Sequence, residues 1–171
     1  MLARSGRRNH PKLAPEKANL YTQNATRLAT ELTQIHTWIQ SQIATIPVSN
    51  RKLVTTHDAM GYYAVAYGIP VEGALQGIST EEKPTANRIK ALVGDVKASG
   101  VPTLFAEVIV NPKLIEAVAK EANVKISEQE LYSDSLAEPG SAADTYPKML
   151  IANTKAIVEG LKGQYTAFQP R

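Results

Sequence analysis

Histidine and carboxylate side chains follow the strand-like runs of this sequence, at the point where each run ends. They are His57 with Asp58, Glu107, and Asp134 between Ser133 and Ser135, while a further run leads into residues 76–81. In an open parallel sheet, ligands bind in the crevice beyond the carboxyl ends of the strands. Imidazole and carboxylate groups at such an edge can bind a divalent transition metal at neutral pH. The first chemistry to consider is therefore metal binding at these positions.

Each of these residues also has a purely structural explanation. His57 could cap the following helix or hydrogen-bond a carbonyl, because one histidine among scattered carboxylates is weak evidence for a metal site. Asp134, considered alone, is better explained as a cap of the next turn. Glu107 directly follows four apolar or β-prone residues, where a carboxylate is paired or ligating, forms a structural salt bridge, or accepts backbone hydrogen bonds. Residue types and spacing leave these alternatives open.

Other chemistries lack their motifs. There is no GxGxxG after the first strand-like run, no GxxxxGKS/T, no GxSxG and no HExxH. A Ser-His-Asp set could be composed from Ser135, His57 and Asp58, but no nucleophile elbow accompanies it. His10 and His36 have no ligand partner four residues further on, so neither is assigned to a metal. An enzyme is the least favoured class, and no catalytic residue is predicted.

The order of strand-like and helical patterns predicts the fold class. Runs of β-prone residues at 52–56, 71–75, 103–106 and within 124–132 alternate with helical patterns at 59–67, 85–99, from Pro112 onward, and at 146–161. Four β-α units in succession imply an α/β lobe with a four-stranded parallel sheet and helices on both faces, a Rossmann-like arrangement. One long α-helix is expected to precede this lobe.

That long helix is predicted over residues 15–47 from apolar residues recurring every three or four positions. Pro15 suits its start and Pro47 ends it. From Glu16 to Ile46 it would be about 46 Å long, whereas a compact chain of this size has a radius of gyration of about 15 to 16 Å. The helix is therefore expected to run the full width of the protein or to project from it. A coiled-coil dimerisation arm is the alternative, although regular opposite charges beside the stripe are missing. Residues 1–14 are expected to be a flexible lead-in, 48–163 the α/β lobe and 164–171 a C-terminal tail.

Composition excludes several classes of protein. A chain of 171 residues can bury a core without a disulfide or metal staple. The formal net charge of +3 reflects basic residues within the first twelve positions, so no basic face for nucleic acid is predicted. The absence of cysteine excludes disulfides and thiolate metal sites. No apolar run approaches the roughly 18 residues that span a bilayer, and the N-terminal residues lack the apolar segment of a secretory signal.

Several segments in order resemble one family, the zinc- and manganese-binding solute-binding proteins of ABC transporters, which includes adhesin-like lipoproteins. The segments are KLVTTHDAMGYYAVAYG at 52–68, QGISTEE at 76–82, FAE at 105–107, NPKLI at 111–115, LYSDSL at 131–136 and NTKAIVEGL at 153–161. The long helix resembles the rigid helix that connects the two lobes of that family. The resemblance extends over about residues 13–163 and implies a metal-binding lobe at 48–163.

The resemblance also implies a ligand set. Family members bind one ion between two lobes with four protein ligands, and two of these correspond to His57 and Asp134. Glu107 lies in a family motif near the cleft and is expected to orient or polarise one of the ligands. The other two ligands are histidines from an N-terminal lobe and from a D-P-H-x-W segment, neither of which has a counterpart in this sequence. Two ligands of four should hold a metal weakly or not at all.

The expected function is metal-ion transport: capture of Zn or Mn for an ABC importer and delivery to its permease in the membrane, without catalysis. Histidine at position 57 favours zinc in this family, in agreement with the preference of imidazole. A periplasmic or cell-surface location, and a role in cell adhesion, follow from the resemblance, although no export signal is recognised. The alternative is a structural or interaction module that self-associates through the long helix and leaves its metal site unused.

Overall fold

The computed structural model describes residues 14–77, 81 and 84–170. The predicted lead-in at 1–14 lies outside the described residues apart from Ala14, as do His10 and positions 78–80 and 82 of the motif at 76–82. The described residues up to Trp38 and from Phe168 onward form one compact unit, and Ile39–Ala167 form a second. All strands and the candidate site belong to the second unit.

Helices and strands follow one another in the predicted order. They are α1 (Ala18–Ala44), β1 (Leu53–His57), α2 (Gly61–Tyr67), β2 (Val71–Gln76), α3 (Ala86–Ser99), β3 (Thr103–Leu104), α4 (Lys113–Ala122), β4 (Lys125–Ile126) and α5 (Tyr146–Gly160). Short 3-10 turns at Pro15–Lys17 and Val48–Asn50 flank α1. None of the helices in the described part of the chain combines the length and the apolar character needed to cross a membrane.

α1 forms because its sequence contains no glycine or proline and carries an apolar stripe at helical spacing. The stripe is fully buried at Ile35 and Ile39. Nearer the N-terminus, Leu20 and Leu28 are 52% and 40% exposed. The predicted stripe is therefore a buried surface only in the C-terminal part of the helix.

The C-terminal end of α1 is capped by a cation. Arg51 donates from Nε to the carbonyl of Ile46 at 2.8 Å and from its terminal NH₂ to the carbonyl of Ala44 at 2.8 Å. The last carbonyls of a helix have no partner within it, and a positive charge there also complements the helix dipole. The guanidinium thus stabilises the point where the long helix meets the lobe.

The C-terminal tail returns to the same helix end. The backbone N–H of Gln164 donates to Oγ1 of Thr45 at 2.9 Å, and that of Thr166 donates to Oε1 of Gln42 at 2.8 Å. These bonds give polar partners to backbone groups that belong to no helix or strand.

The predicted four-stranded sheet is not formed as one continuous sheet. β1 pairs with β2 and β3 with β4, each pair in parallel. Isolated bridges join Thr55 to Phe105 and Glu107 to Leu131. Leu104 pairs with Ile126, and the next bridge on this side joins Glu107 to Leu131. Between these two pairs the chain advances three residues on one side and five on the other. Residues 127–130 therefore bulge out and interrupt the ladder.

Helices cover both faces of this strand layer, as predicted. Leu104 and Ala106 belong to one apolar cluster with buried residues of α3 and α4, among them Leu92, Val96, Ile115 and Val118. Thr103, in contrast, donates from Oγ1 to the carbonyl of Gly160 at the end of α5, at 2.7 Å. Successive side chains of a strand point to opposite faces. α5 therefore lies on the face opposite α3 and α4.

Threonine caps and a glycine mark three of the helix ends. Thr85 accepts the backbone N–H of Arg88 at 3.2 Å, and Thr145 accepts that of Lys148 at 3.4 Å, so each threonine caps the helix that follows it. Gly68 ends α2 with φ of 65°, a left-handed conformation that glycine adopts without strain.

The contact between α5 and β3 predicts a large effect of a small substitution. A Cβ added at Gly160 would lie 2.8 Å from two ring carbons of Phe105, whose side chain is fully buried and cannot swing outward. We expect Gly160→Ala to lower the free energy of unfolding by about 1 to 3 kcal/mol, the usual cost of overpacking. Urea denaturation measures this change.

Gly94 provides the matched control, because it lies inside α3 and an added Cβ would meet no atom within 4 Å. Gly94→Ala should raise stability by about 0.5 to 1 kcal/mol, the helix-propensity difference. Equal effects of the two substitutions would contradict the tight approach of α5 to Phe105.

Candidate metal centre

β1 brings His57 to the edge of the strand layer in a fixed backbone conformation. Its sequence, LVTTH, is rich in β-branched residues and is buried throughout, with His57 only 1% exposed. The carbonyl of His57 accepts the hydroxyl of Thr55 at 2.8 Å and the N–H of Ala59 at 3.0 Å. The imidazole therefore starts from a rigid support.

Glu107 is completely buried, and both of its carboxylate oxygens face His57. Oε1 accepts the backbone N–H of His57 at 2.9 Å, and Oε2 lies 2.7 Å from Nδ1. Because the ring N–H is poorly aligned with Oε2, the second contact is mainly electrostatic despite its short distance. The backbone of Glu107 bridges to Leu131, whose carbonyl accepts the N–H of Val108 at 3.1 Å.

Asp134 approaches the imidazole from the other side. Its Oδ2 lies 3.2 Å from Nε2 of His57, and 55% of the Asp134 side chain is exposed. The structure thus brings together His57, Glu107 and Asp134, three of the residues that the sequence analysis placed at the carboxyl ends of strands. Each ring nitrogen of His57 has one carboxylate beside it.

The two carboxylates give the ring nitrogens different roles. Nε2 lies in hydrogen-bonding geometry with Oδ2 of Asp134 at 3.2 Å, and the tautomer of the ring decides whether it donates. Nδ1 has no aligned hydrogen-bond partner, although Oε2 of Glu107 lies 2.7 Å away. When Nε2 carries no proton, its lone pair and Oδ2 are both available to a cation between them.

The other candidate residues from the sequence analysis do not form part of the group of His57, Glu107 and Asp134. Asp58 and Ser135 are exposed, and no hydrogen bond connects Ser135 to His57, so the Ser-His-Asp set is not assembled. His36 lies exposed on α1. Among the residues that the structure describes, no group of three or more His, Cys, Asp or Glu side chains is arranged to hold a metal ion.

Two buried polar residues of α5, which the sequence analysis did not assign to the site, hydrogen-bond to neighbouring parts of the chain. Asn153, 2% exposed, accepts the backbone N–H of Tyr132 at 2.9 Å and donates to its carbonyl at 2.7 Å. Thr154, fully buried, lies 2.9 Å from the hydroxyl of Tyr63 and donates to the carbonyl of Leu150 at 2.7 Å. Burial raises the pKa of Tyr63 although its bond to Thr154 acts in the opposite direction. The sequence signal that could have drawn attention to Asn153 was its position as a polar residue inside the apolar stripe of α5.

The loop between Asp134 and α5 is closed by Asp144. Its carboxylate accepts the N–H of Gly140 at 2.8 Å and the ammonium of Lys148 at 2.7 Å. The hydrogen bond from Lys148, with a smaller contribution from Gly140, holds the pKa of Asp144 below its usual value. Thr145 caps α5, and Asp144 beside it closes the loop.

Comparison with known proteins identifies close relatives. The manganese-binding lipoprotein MntA of Bacillus subtilis is 35% identical over 156 residues, which cover 88% of this chain and 50% of MntA. The zinc-binding protein TroA of Treponema pallidum is 32% identical over 154 residues, which cover 88% of this chain and 50% of TroA. The solved structure of that periplasmic zinc-binding protein matches with a TM-score of 0.85 and 31% identity, over 91% of this chain and 57% of the other. The chain spans about half the length of the curated relatives it matches.

A family model agrees with these relatives. The model described as zinc-uptake complex component A periplasmic, ZnuA, matches residues 5–160. That range contains α1, α5 and every strand that the structure describes, together with His57, Glu107 and Asp134. The chain belongs to the ZnuA family.

Proposed function

We propose that this chain captures a divalent metal ion, zinc or manganese, for an ABC importer, and that His57 and Asp134 are its ligands. The observation that carries the proposal is the 3.2 Å separation of Nε2 and Oδ2 while Glu107 occupies the other ring nitrogen. With Nε2 deprotonated, the ring nitrogen and the carboxylate oxygen can form a pair of ligands for a divalent cation.

The distance between the two ligand atoms supports this assignment. Two ligands about 2.1 Å from a tetrahedral ion lie about 3.4 Å apart, and adjacent ligands of an octahedral ion at that distance lie about 3.0 Å apart. The observed 3.2 Å falls between these values. The pair is therefore compatible with the four-coordinate sites that zinc prefers and with the six-coordinate sites of manganese.

Glu107 acts on the metal through His57 in this proposal. A carboxylate at the second ring nitrogen fixes the tautomer, holds the ring plane and makes the ligating nitrogen more basic. Both oxygens of Glu107 are turned toward His57, which leaves none to bind the same ion directly. Its role is orientation of the ligand, as the sequence resemblance implied.

The proposal assigns the rest of the coordination shell to a second lobe. A closed metal site normally has four protein ligands, of which His57 and Asp134 are two. The curated relatives are about twice as long as the matched region, which leaves room for such a lobe. Residues 15–47 would then be the helix that connects the lobes, 48–163 the metal-binding lobe and 164–171 its tail.

The proposed partner is the permease of an ABC importer, at the periplasmic or cell-surface side of the membrane. Relatives of this chain include a lipoprotein that binds manganese and a periplasmic protein that binds zinc. The candidate site presents ligands and not an activated nucleophile, so the role we propose is binding and delivery without catalysis.

A structural module that self-associates through α1 is the second candidate. It is favoured by Leu20 and Leu28, which are 52% and 40% exposed on the same helix. Apolar side chains on a helix face can form a seam with another helix. This candidate requires no metal.

The two candidates differ in oligomeric state, which light scattering measures. Self-association through α1 predicts a dimer that Leu28→Lys converts to a monomer, because the new charge would be buried in the seam. Metal capture alone predicts a monomer both before and after this substitution. A monomeric wild-type protein excludes the dimerisation arm.

Metal titration tests the ligands directly. We expect Zn²⁺ and Mn²⁺ to bind the wild-type chain with a weak but measurable Kd in calorimetry. His57→Ala and Asp134→Asn should each weaken binding by about tenfold or more, because each removes one of only two ligands. His36→Ala and Asp58→Asn, which alter exposed groups of the same types, should leave the Kd unchanged. Absence of binding by the wild type, or equal losses in the control variants, would refute the proposed site.

The orienting role of Glu107 is tested with Glu107→Gln. The amide oxygen can still accept the backbone N–H of His57, but the negative charge beside Nδ1 is lost. Metal affinity should fall by about 10- to 100-fold, the range typical of groups that hold a ligating histidine. Glu72→Gln, which removes an exposed carboxylate on β2, is the matched control. An unchanged Kd for Glu107→Gln would contradict the role, provided that thermal melting shows the variant to be folded.

A further inference from the structure

We propose that Asn153 is a positioning residue for metal capture: its side-chain amide holds the backbone of Tyr132 and thereby sets the position of Asp134. The inference rests on the proposed function, in which Asp134 is a ligand. It assigns a role to a helix residue that does not contact the metal pair itself.

The contact is a two-point clamp. Oδ1 of Asn153 accepts the N–H of Tyr132 at 2.9 Å, and Nδ2 donates to the carbonyl of the same residue at 2.7 Å. Two hydrogen bonds to one residue fix both the position and the rotation of its peptide groups. An amide side chain can do this because it carries a donor and an acceptor side by side.

The clamp lies at the end of the last well-anchored segment before the ligand. Leu131 is fully buried, and its N–H donates to the carbonyl of Ala106 at 2.9 Å while its carbonyl accepts the N–H of Val108 at 3.1 Å. Tyr132 follows, and Asn153 holds its backbone. Asp134 lies two residues further along the chain, so its position depends on the hydrogen bonds of Leu131 and Tyr132.

Asp134 needs this support because its own side chain has little. It is 55% exposed and reaches Nε2 of His57 at 3.2 Å. A ligand on an unrestrained loop must lose conformational freedom when the metal binds, which weakens binding. A backbone already fixed at Tyr132 removes part of that loss before the ion arrives.

The composition of α5 supports the same conclusion. Asparagine is a poor helix former, and a buried amide is costly unless its groups are hydrogen-bonded. Asn153 nevertheless stands at a position of α5 that is 2% exposed, where an apolar residue would pack more favourably. The side-chain hydrogen bonds of Asn153 with Tyr132 lead away from its own helix, to the segment that carries Asp134.

Thr154 supplies a matched control on the same helix. It is fully buried and also hydrogen-bonded, but its partners are Tyr63 and Leu150 and not Tyr132. Thr154→Val therefore removes buried hydrogen bonds from α5 without releasing the Asp134 segment. A role of Asn153 in stability alone would make the two substitutions equivalent for the metal site.

Paramagnetic relaxation by Mn²⁺, measured on the backbone amides by NMR, distinguishes a role of Asn153 in positioning Asp134 from a role in stability alone. In the wild type, Mn²⁺ should broaden the amide signals of both Asp58, beside His57, and Ser135, beside Asp134. In Asn153→Leu we expect broadening at Asp58 to persist and that at Ser135 to fall, with the Kd for Mn²⁺ about tenfold weaker. Thr154→Val should keep the wild-type ratio of the two effects.

Each outcome decides the question. An Asn153→Leu protein with the wild-type ratio and Kd overturns this inference while leaving the proposed function intact. A wild-type protein with no broadening at either amide overturns the proposed function, and the inference with it. If Asn153→Leu does not fold, Asn153→Ser is measured in its place, and the Tyr132 amide should then exchange its proton faster than in the wild type without any metal present. Unchanged exchange would likewise overturn the clamp.

Discussion

A carboxylate completely removed from water, that of Glu107, is the constraint on which the candidate site depends. A buried carboxylate is costly unless its oxygens have hydrogen-bond partners or a nearby opposite charge. Here Oε1 accepts the backbone N–H of His57, while Oε2 lies 2.7 Å from Nδ1 without an aligned hydrogen bond. Both oxygens are therefore engaged with the same residue. Glu107 also ties the end of β1 to the segment after β3, where the ladder between strands is interrupted.

Hydrogen bonds from α5 hold chain segments near the candidate site that the interrupted strand layer does not fix. The buried face of α5 is not uniformly apolar, since Asn153 and Thr154 lie within it. One of these residues holds the segment before Asp134, and the other holds Tyr63 in α2, the helix that follows His57. A single rigid helix thus contacts both chain segments that carry the proposed ligands. Side chains in regular helices keep more exact positions than side chains in loops, which is the physical advantage of this design.

Periodicity and end signals in the sequence were sufficient for the order and type of the elements. Thr85 and Gly68 are examples, because a cap and a left-handed glycine act locally and can be recognised without tertiary information. Continuity of the sheet could not be predicted in the same way. It depends on the different numbers of residues in the two paired strands around residues 127–130. That difference becomes apparent only when the pairing of the strands is known.

The candidate site shows the same difference between features that local sequence predicts and features that depend on the tertiary fold. The rule that ligands bind at the carboxyl ends of parallel strands pointed to His57, Glu107 and Asp134 among several other residues, and the family resemblance narrowed the choice to these three. Considered alone, however, Asp134 fitted a helix cap, and only the fold places its carboxylate against the imidazole. The interrupted strand layer has one more consequence. His57 belongs to β1 and Asp134 follows β4, so the least continuous part of the layer lies between them. Hydrogen bonds from the Phe105 N–H to the carbonyl of Val54 at 3.0 Å and from the His57 N–H to Oε1 of Glu107 at 2.9 Å cross this boundary. The distance between the two proposed ligands therefore depends on such individual bonds and not on a continuous ladder.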